Sequence, residues 1–197
     1  PFTILSNDRY AAKGWDDRVG LGVILEALYR MSEQNISTPN TLYVVATVQE
    51  EIGLRGAQTS TRMVDPDLGI SIEAGVSADY PVARPEQAQE RLGSGPGIFL
   101  LDSSMIPNTK LRDFFMRVAR EEGISLQPAV LTGYGEDGAE IQRYDTGRPS
   151  VNITVPTRYL HSHTGIIERG DFDGAVQLLI AVLKRLDAET VEELSSF

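Results

Sequence analysis

The 197-residue chain carries 18 basic and 28 acidic residues, a formal net charge of −10, with 41% apolar and 23% charged residues. That balance argues against nucleic acid or an anionic membrane as a partner, since both would repel it, while the apolar fraction suits a globular domain with a sizeable core. Cysteine is absent, which excludes disulfides and thiolate metal sites.

No apolar run is long enough to span a bilayer and nothing resembles a signal peptide, so a cytoplasmic location is the default expectation. The opening "PFTILS" has strand-like sequence and no preceding methionine, so a fragment of a longer chain is the expectation. "DRVGLGVILEALYRMSEQ" has helical spacing, with Val19, Val23, Leu25 and Leu28 among its apolar positions. "TLYVVATV" (41–48) is a continuous apolar run of the kind found in a strand covered on both faces. A short helix follows in "LRGAQTSTRMV", stopped by the proline of "DPD", and "LGISIEA" is another buried strand.

Beyond a polar stretch with Pro and Gly (81–97), "GIFLLD" returns to strand and "TKLRDFFMRVAREEG" is an amphipathic helix with a glycine stop. "SLQPAVLT" reads as strand, "DGAEIQRYDTG" as a short helix, "PSVNITVP" as strand and "GDFDGAVQLLIAVLKRLDAE" as the long final helix. Strand and helix alternate throughout. The expected fold is a three-layer α/β/α sandwich on a largely parallel mixed sheet, with residues 1–197 forming a single domain and no internal repeat.

In such sheets, sites form at the carboxyl ends of strands. There the sequence places Glu50 and Glu51 after "VVATVQ", Glu73 in "GISIEAGV", and His161 and His163 after "VNITVPTRYL"; Asp16 and Asp17 precede the first long helix. Asp, Glu and His without Cys are the ligand types of catalytic zinc, cobalt or manganese. Each group also has a plainer reading. Asp16–Asp17 suits a helix cap and first-turn charge, Glu50–Glu51 a solvated turn, and Arg158 and Tyr159 strand-end packing. Glu73 is the most telling, because a carboxylate in apolar surroundings needs a cation, a hydrogen-bond network or a proton.

Four blocks in order, "KGWDDRVG", "VATVQEEIGLRGA", "ISIEAGVSADYP" and "VPTRYLHSH", make the chain resemble the glutamyl or tetrahedral (TET) aminopeptidases, dinuclear metallopeptidases also described as endoglucanase-like. The resemblance covers essentially the whole chain. It implies a metal-dependent aminopeptidase that removes the first residue of peptides, with two divalent ions, zinc, cobalt or manganese. Asp16 then matches the bridging carboxylate, Glu50 the general base, Glu51 and His161 metal ligands. Glu73 stands where the family has an aspartate ligand, one methylene longer. Asp17, Arg158 and Asp137, the last in the glycine-rich "LTGYGEDGAEI", match positions near the ligands or the substrate.

Two features of the family are not found: a further histidine ligand upstream and a small inserted β domain. The resemblance therefore implies the carboxy-terminal catalytic portion of such an enzyme, incomplete at its amino end, from a parent protein that is a homo-oligomer. One ion would take Asp16, Glu51 and His161, and the other only Asp16 and Glu73. A non-catalytic relative of the same fold and a carboxylate-based glycosidase are the alternative readings. Against the glycosidase, only one tryptophan, Trp15, is present to serve as a sugar platform.

Overall fold

The computed structural model describes residues 2–81, 83–84 and 89–196. Of the polar stretch expected between 81 and 97, residues 82 and 85–88 lie outside this set. In chain order the elements are β1 (Thr3–Ile4), β2 (Arg9–Ala12), α1 (Trp15–Glu33), α2 (Arg55–Val64), β3 (Gly69–Ser77), β4 (Gly97–Leu101) and α3 (Thr109–Glu121). The second half continues with β5 (Gln127–Val130), α4 (Gly138–Gln142), β6 (Ser150–Arg158), β7 (Gly165–Glu168), α5 (Arg169–Leu183) and α6 (Ala188–Ser195).

The strands form one mixed seven-stranded sheet ordered β1-β2-β7-β6-β4-β5, with β3 on β6. The longest pairing is parallel: β3 and β6 run in register from Gly69↔Ser150 to Ser77↔Arg158. β4 and β5 are also parallel, whereas β4, β7 and β2 meet their neighbours β6, β6 and β7 antiparallel. The short strands β2 and β7 leave no run of alternating residues long enough to stand out in the sequence, so the pattern did not predict them.

Strand alternation separates two chemistries across the sheet. On β6, Val151, Ile153 and Val155 enter the main apolar core, which also takes Ile72 and Ala74 of β3, Val19, Val23 and Ala27 of α1, and Leu178 and Val182 of α5. The alternate residues Ser150, Asn152 and Thr154 are buried and polar, as are Ser71 and Glu73 on β3. This polar face meets α4, where a Cβ added to Gly138 would lie 2.0 Å from Asn152 Oδ1. A layer of buried polar groups between sheet and helix is costly unless satisfied.

Helix α1 is pinned to β3 by Gly20, where an added Cβ would sit 2.1 Å from the carbonyl oxygen of Ile72. Its predicted apolar position Leu25 is not in the core: Leu21, Leu25 and Tyr29 form an exposed stripe on the opposite side.

The segment 41–48 departs from expectation. It forms no strand, and Leu42, Tyr43, Val44, Val45 and Val48 are exposed. Among the described residues no neighbouring strand pairs with it, and without a partner for its N–H and C=O groups an apolar run does not become a ladder. A cavity of about 760 Å³ is lined by this segment, by α1 and by Gly69–Glu73 of β3. Among the described residues, β3 pairs with β6 and otherwise makes a single bridge, between Ser77 and Glu90.

Candidate metal centre

Three segments far apart in sequence deliver one cluster. Asp16 comes from the start of α1, where helical dihedrals are broken at Asp16 and Asp17 and the peptide between them is cis. Glu51 comes from the turn before α2, and His161 from the turn after β6. His161 Nε2 lies 3.2 Å from Asp16 Oδ2 and 3.7 Å from Glu51 Oε2. One possible ligand atom from each of the three lies within 4.8 Å of the other two. Two carboxylate oxygens and an imidazole nitrogen at this spacing fit a divalent zinc, cobalt or manganese ion. The ring of Tyr134 stands 5.6 Å from that of His161, at a 42° tilt.

Backbone geometry explains how neighbours separate. Gln49 (φ 60°), Tyr159 (φ 60°) and His161 (φ 58°) all adopt the left-handed region, unusual for residues with a Cβ and concentrated at functional sites. Glu50 accepts the amide hydrogens of Gly53 and Leu54 at its carbonyl, 2.9 Å in each case. Glu50 and Glu51 therefore sit in a tight turn, not on a strand.

The other predicted residues separate into distinct places. Asp17 Oδ1 accepts the Gly20 amide at 3.0 Å, the helix-capping role open to it from sequence. Glu73, 5% exposed, accepts from the Ser71 hydroxyl at 2.6 Å and neighbours Asp17. It is outside the Asp16–Glu51–His161 group. Asp137 stands at the N-cap position of α4 without capping it; its Oδ2 accepts from Thr47 Oγ1 at 2.6 Å instead. Arg158 does not bond to His161. Its guanidinium holds Asp79 with two hydrogen bonds of 2.6 and 2.7 Å. His163 is exposed.

The electrostatics are those of a site short of positive charge. Burial, then the charge of Glu51, raises the Asp16 carboxyl, with His161 opposing. Burial pushes Asp17 up to about 7. Burial, followed by the charges of Asp137, Glu51 and Asp16, raises Glu50 to about 7. Glu73 is raised well above its ordinary value by burial and by Asp17. Glu136, which the sequence reading passed over, is raised to about 9 by burial and then by Glu50, Asp102, Asp16 and Asp17. Carboxyls crowded this way take up protons unless cations are supplied. Glu136 had one available signal, its place beside Asp137 in the glycine-rich loop.

The M42 glutamyl aminopeptidase profile matches residues 1–178. The chain belongs to the M42 glutamyl aminopeptidase family. A TET aminopeptidase structure from a marine-sediment Thaumarchaeota archaeon superposes with a TM-score of 0.95 at 45% identity, over 98% of this chain and 55% of that one. The Pyrococcus furiosus lysyl aminopeptidase is 34% identical over 94% of this chain and 51% of its own length. The Pyrococcus horikoshii TET1 peptidase, which assembles into a tetrahedron or a large octahedral shell, matches with a TM-score of 0.83 at 27% identity, over 94% of this chain and 53% of its own. The M42 chain described here thus spans about half the length of these relatives.

Proposed function

We propose that this chain forms the catalytic part of a metal-dependent aminopeptidase, with residues 1–197 acting as one catalytic unit on peptide substrates. The observation that carries the reading is the convergence of Asp16, Glu51 and His161 within ligand distance of one another, in a chain of the M42 family. These three residues would hold one divalent ion; Asp16 and Glu73 are the residues assigned to a second. An ion held there polarises the scissile carbonyl and lowers the pKa of a water.

The chain's own residues supply the remaining steps. Glu50, adjacent to Glu51 and lining the same cavity as Asp16 and His161, acts as general base. It accepts a proton from the attacking water and returns it to the departing amine. Asp17 keeps the α1 terminus in place through Gly20. The surrounding carboxylates favour a free amino terminus over an internal peptide bond. A homo-oligomer is the form we propose for the parent protein, in keeping with the assembly of the TET1 relative.

The test is metal content per chain after loading with zinc or cobalt and desalting, followed by turnover of aminoacyl p-nitroanilides. Retained metal, with turnover that a chelator abolishes and metal restores, is expected. Failure to retain any metal, or release of reducing sugar that survives chelation, would replace the reading with the non-catalytic or the glycosidase alternative.

A further inference from the structure

The segments that bring Asp16 and His161 together are joined by a bond that neither residue makes. Trp15, the only tryptophan in the chain, immediately precedes Asp16. Its indole Nε1–H donates to the carbonyl oxygen of Gly165 at 3.1 Å, a link between residues 150 positions apart. Gly165 opens β7 and closes the turn that carries His161.

The contact is close as well as bonded. A Cβ added to Gly165 would lie 3.1 Å from Trp15 Cδ1 and 3.2 Å from Thr157 Cγ2, so a side chain there would displace the indole. The half-buried ring packs against the main apolar core, and the Phe2 ring stands 6.2 Å from it at 71°. A tryptophan buried in this way has its N–H satisfied and its orientation restricted.

The turn transmits that restraint to His161. The Ser162 amide donates to the Tyr159 carbonyl at 3.2 Å, and the Ser162 hydroxyl donates to the Thr164 carbonyl at 3.1 Å, so the turn is closed on itself. His161 sits inside it at φ 58°, a conformation that persists when its surroundings determine it. On the other side, the β2–β7 ladder ends at Ala12↔Gly165. Lys13 and Gly14 then separate Ala12 from Trp15, and glycine is the most permissive link a chain can have. The indole bond spans this link directly.

We infer that Trp15 is a positioning residue for the metal centre: its bond to Gly165 sets the place of His161 relative to Asp16. This rests on the metal-dependent aminopeptidase reading. A ligand pair held at its working separation binds an ion without first being ordered.

The experiment compares the unmodified protein with Trp15→Phe, which keeps an aromatic ring and loses the donor, and with Gly165→Ala, which keeps the donor and displaces the indole. Calorimetric titration gives zinc affinity, and the visible absorption of the cobalt-loaded protein reports the geometry around the ion. The imidazole proton resonances of His161 are recorded without metal, and urea denaturation shows that each variant folds. Zinc affinity should fall about 10–100-fold in Trp15→Phe, the range for disturbing a partner that orients a ligand, and by a smaller factor in Gly165→Ala. The cobalt absorption and the His161 resonances should shift in both. Should Trp15→Phe fail to fold, Gly165→Ala decides. Zinc affinity and cobalt absorption that stay unchanged, with or without a loss of stability, reduce Trp15 to core packing and overturn the proposal. An unmodified protein that retains no zinc overturns the metallopeptidase reading instead. The positioning role then stands if the His161 resonances shift in the variants and falls if they do not.

Discussion

His161 Nε2 faces Asp16 Oδ2 at 3.2 Å, joining the turn after β6 to the start of α1. The imidazole is the only nitrogen in a cluster otherwise made of carboxylates. Its removal therefore changes the chemistry of the site and not just its charge. His161→Ala should weaken zinc binding by more than the roughly 10–100-fold seen when only a ligand's supporting partner is disturbed. Calorimetric titration with zinc checks this, and an unchanged affinity would remove His161 from the ligand set.

The base role proposed for Glu50 can be tested apart from metal binding. Glu50→Gln keeps the shape of the side chain and abolishes its basicity, so kcat should fall by roughly 10²–10⁴-fold while metal content per chain stays the same. Equal turnover in the variant would assign the base to another residue.

Glu90 provides a pH test far from the metal cluster. It is fully buried; Oε1 accepts from Thr154 Oγ1 at 2.6 Å and Oε2 has no partner. Burial is the main cause that raises it to about 8, with Thr154 opposing and Asp171 adding to it. The folded protein thus keeps a proton that the unfolded chain has lost above its ordinary value of 4.5. The stabilisation is fully present below about 4.5 and is lost as pH rises to about 8, where a few kcal/mol, in order of magnitude, are forfeited. Glu90→Gln should flatten this slope, and urea denaturation of both proteins at pH 5 and pH 8 would show it.

The Arg158 guanidinium is bonded to the Asp79 carboxylate at 2.6 and 2.7 Å. Burial pushes Asp79 up, but the Arg158 guanidinium, the Ser77 hydroxyl and the Leu92 amide outweigh it and hold it at about 2. Arg158→Ala strands a largely buried carboxylate and should cost about 3 kcal/mol, at the low end for breaking such a pair. Zinc affinity should not change. A large loss of affinity at unchanged stability would restore Arg158 to the neighbourhood of His161.

These contrasts show which features local sequence can reveal. Asp16, Glu51 and His161 stood out as candidates because each is of ligand type and adjoins a strongly patterned segment, and the structure brings the three together. The partner of Arg158 was not, because Asp79 meets it only through the pairing of β3 with β6. Glu136 was hidden by its neighbour: a glycine-rich loop with two acids invites one to be chosen. Segment 41–48 misled for the opposite reason. Its composition states a preference for a sheet, but a strand exists only with a partner, and no single segment encodes one.

The open edge of β3 also governs how the protein behaves as a colloid. Among the described residues the edge of β3 away from β6 carries only the Ser77–Glu90 bridge, and with exposed Val44 and Val45 lining the same cavity it is a template for another extended chain. At a net charge of −10, copies repel one another over long range. Added salt shortens that repulsion to about 10 Å at 0.1 M and leaves short-range backbone pairing and apolar contact intact. Light scattering should accordingly report self-association that grows with ionic strength, the reverse of an assembly held together by ion pairs, and a lysine at Val45 should suppress it.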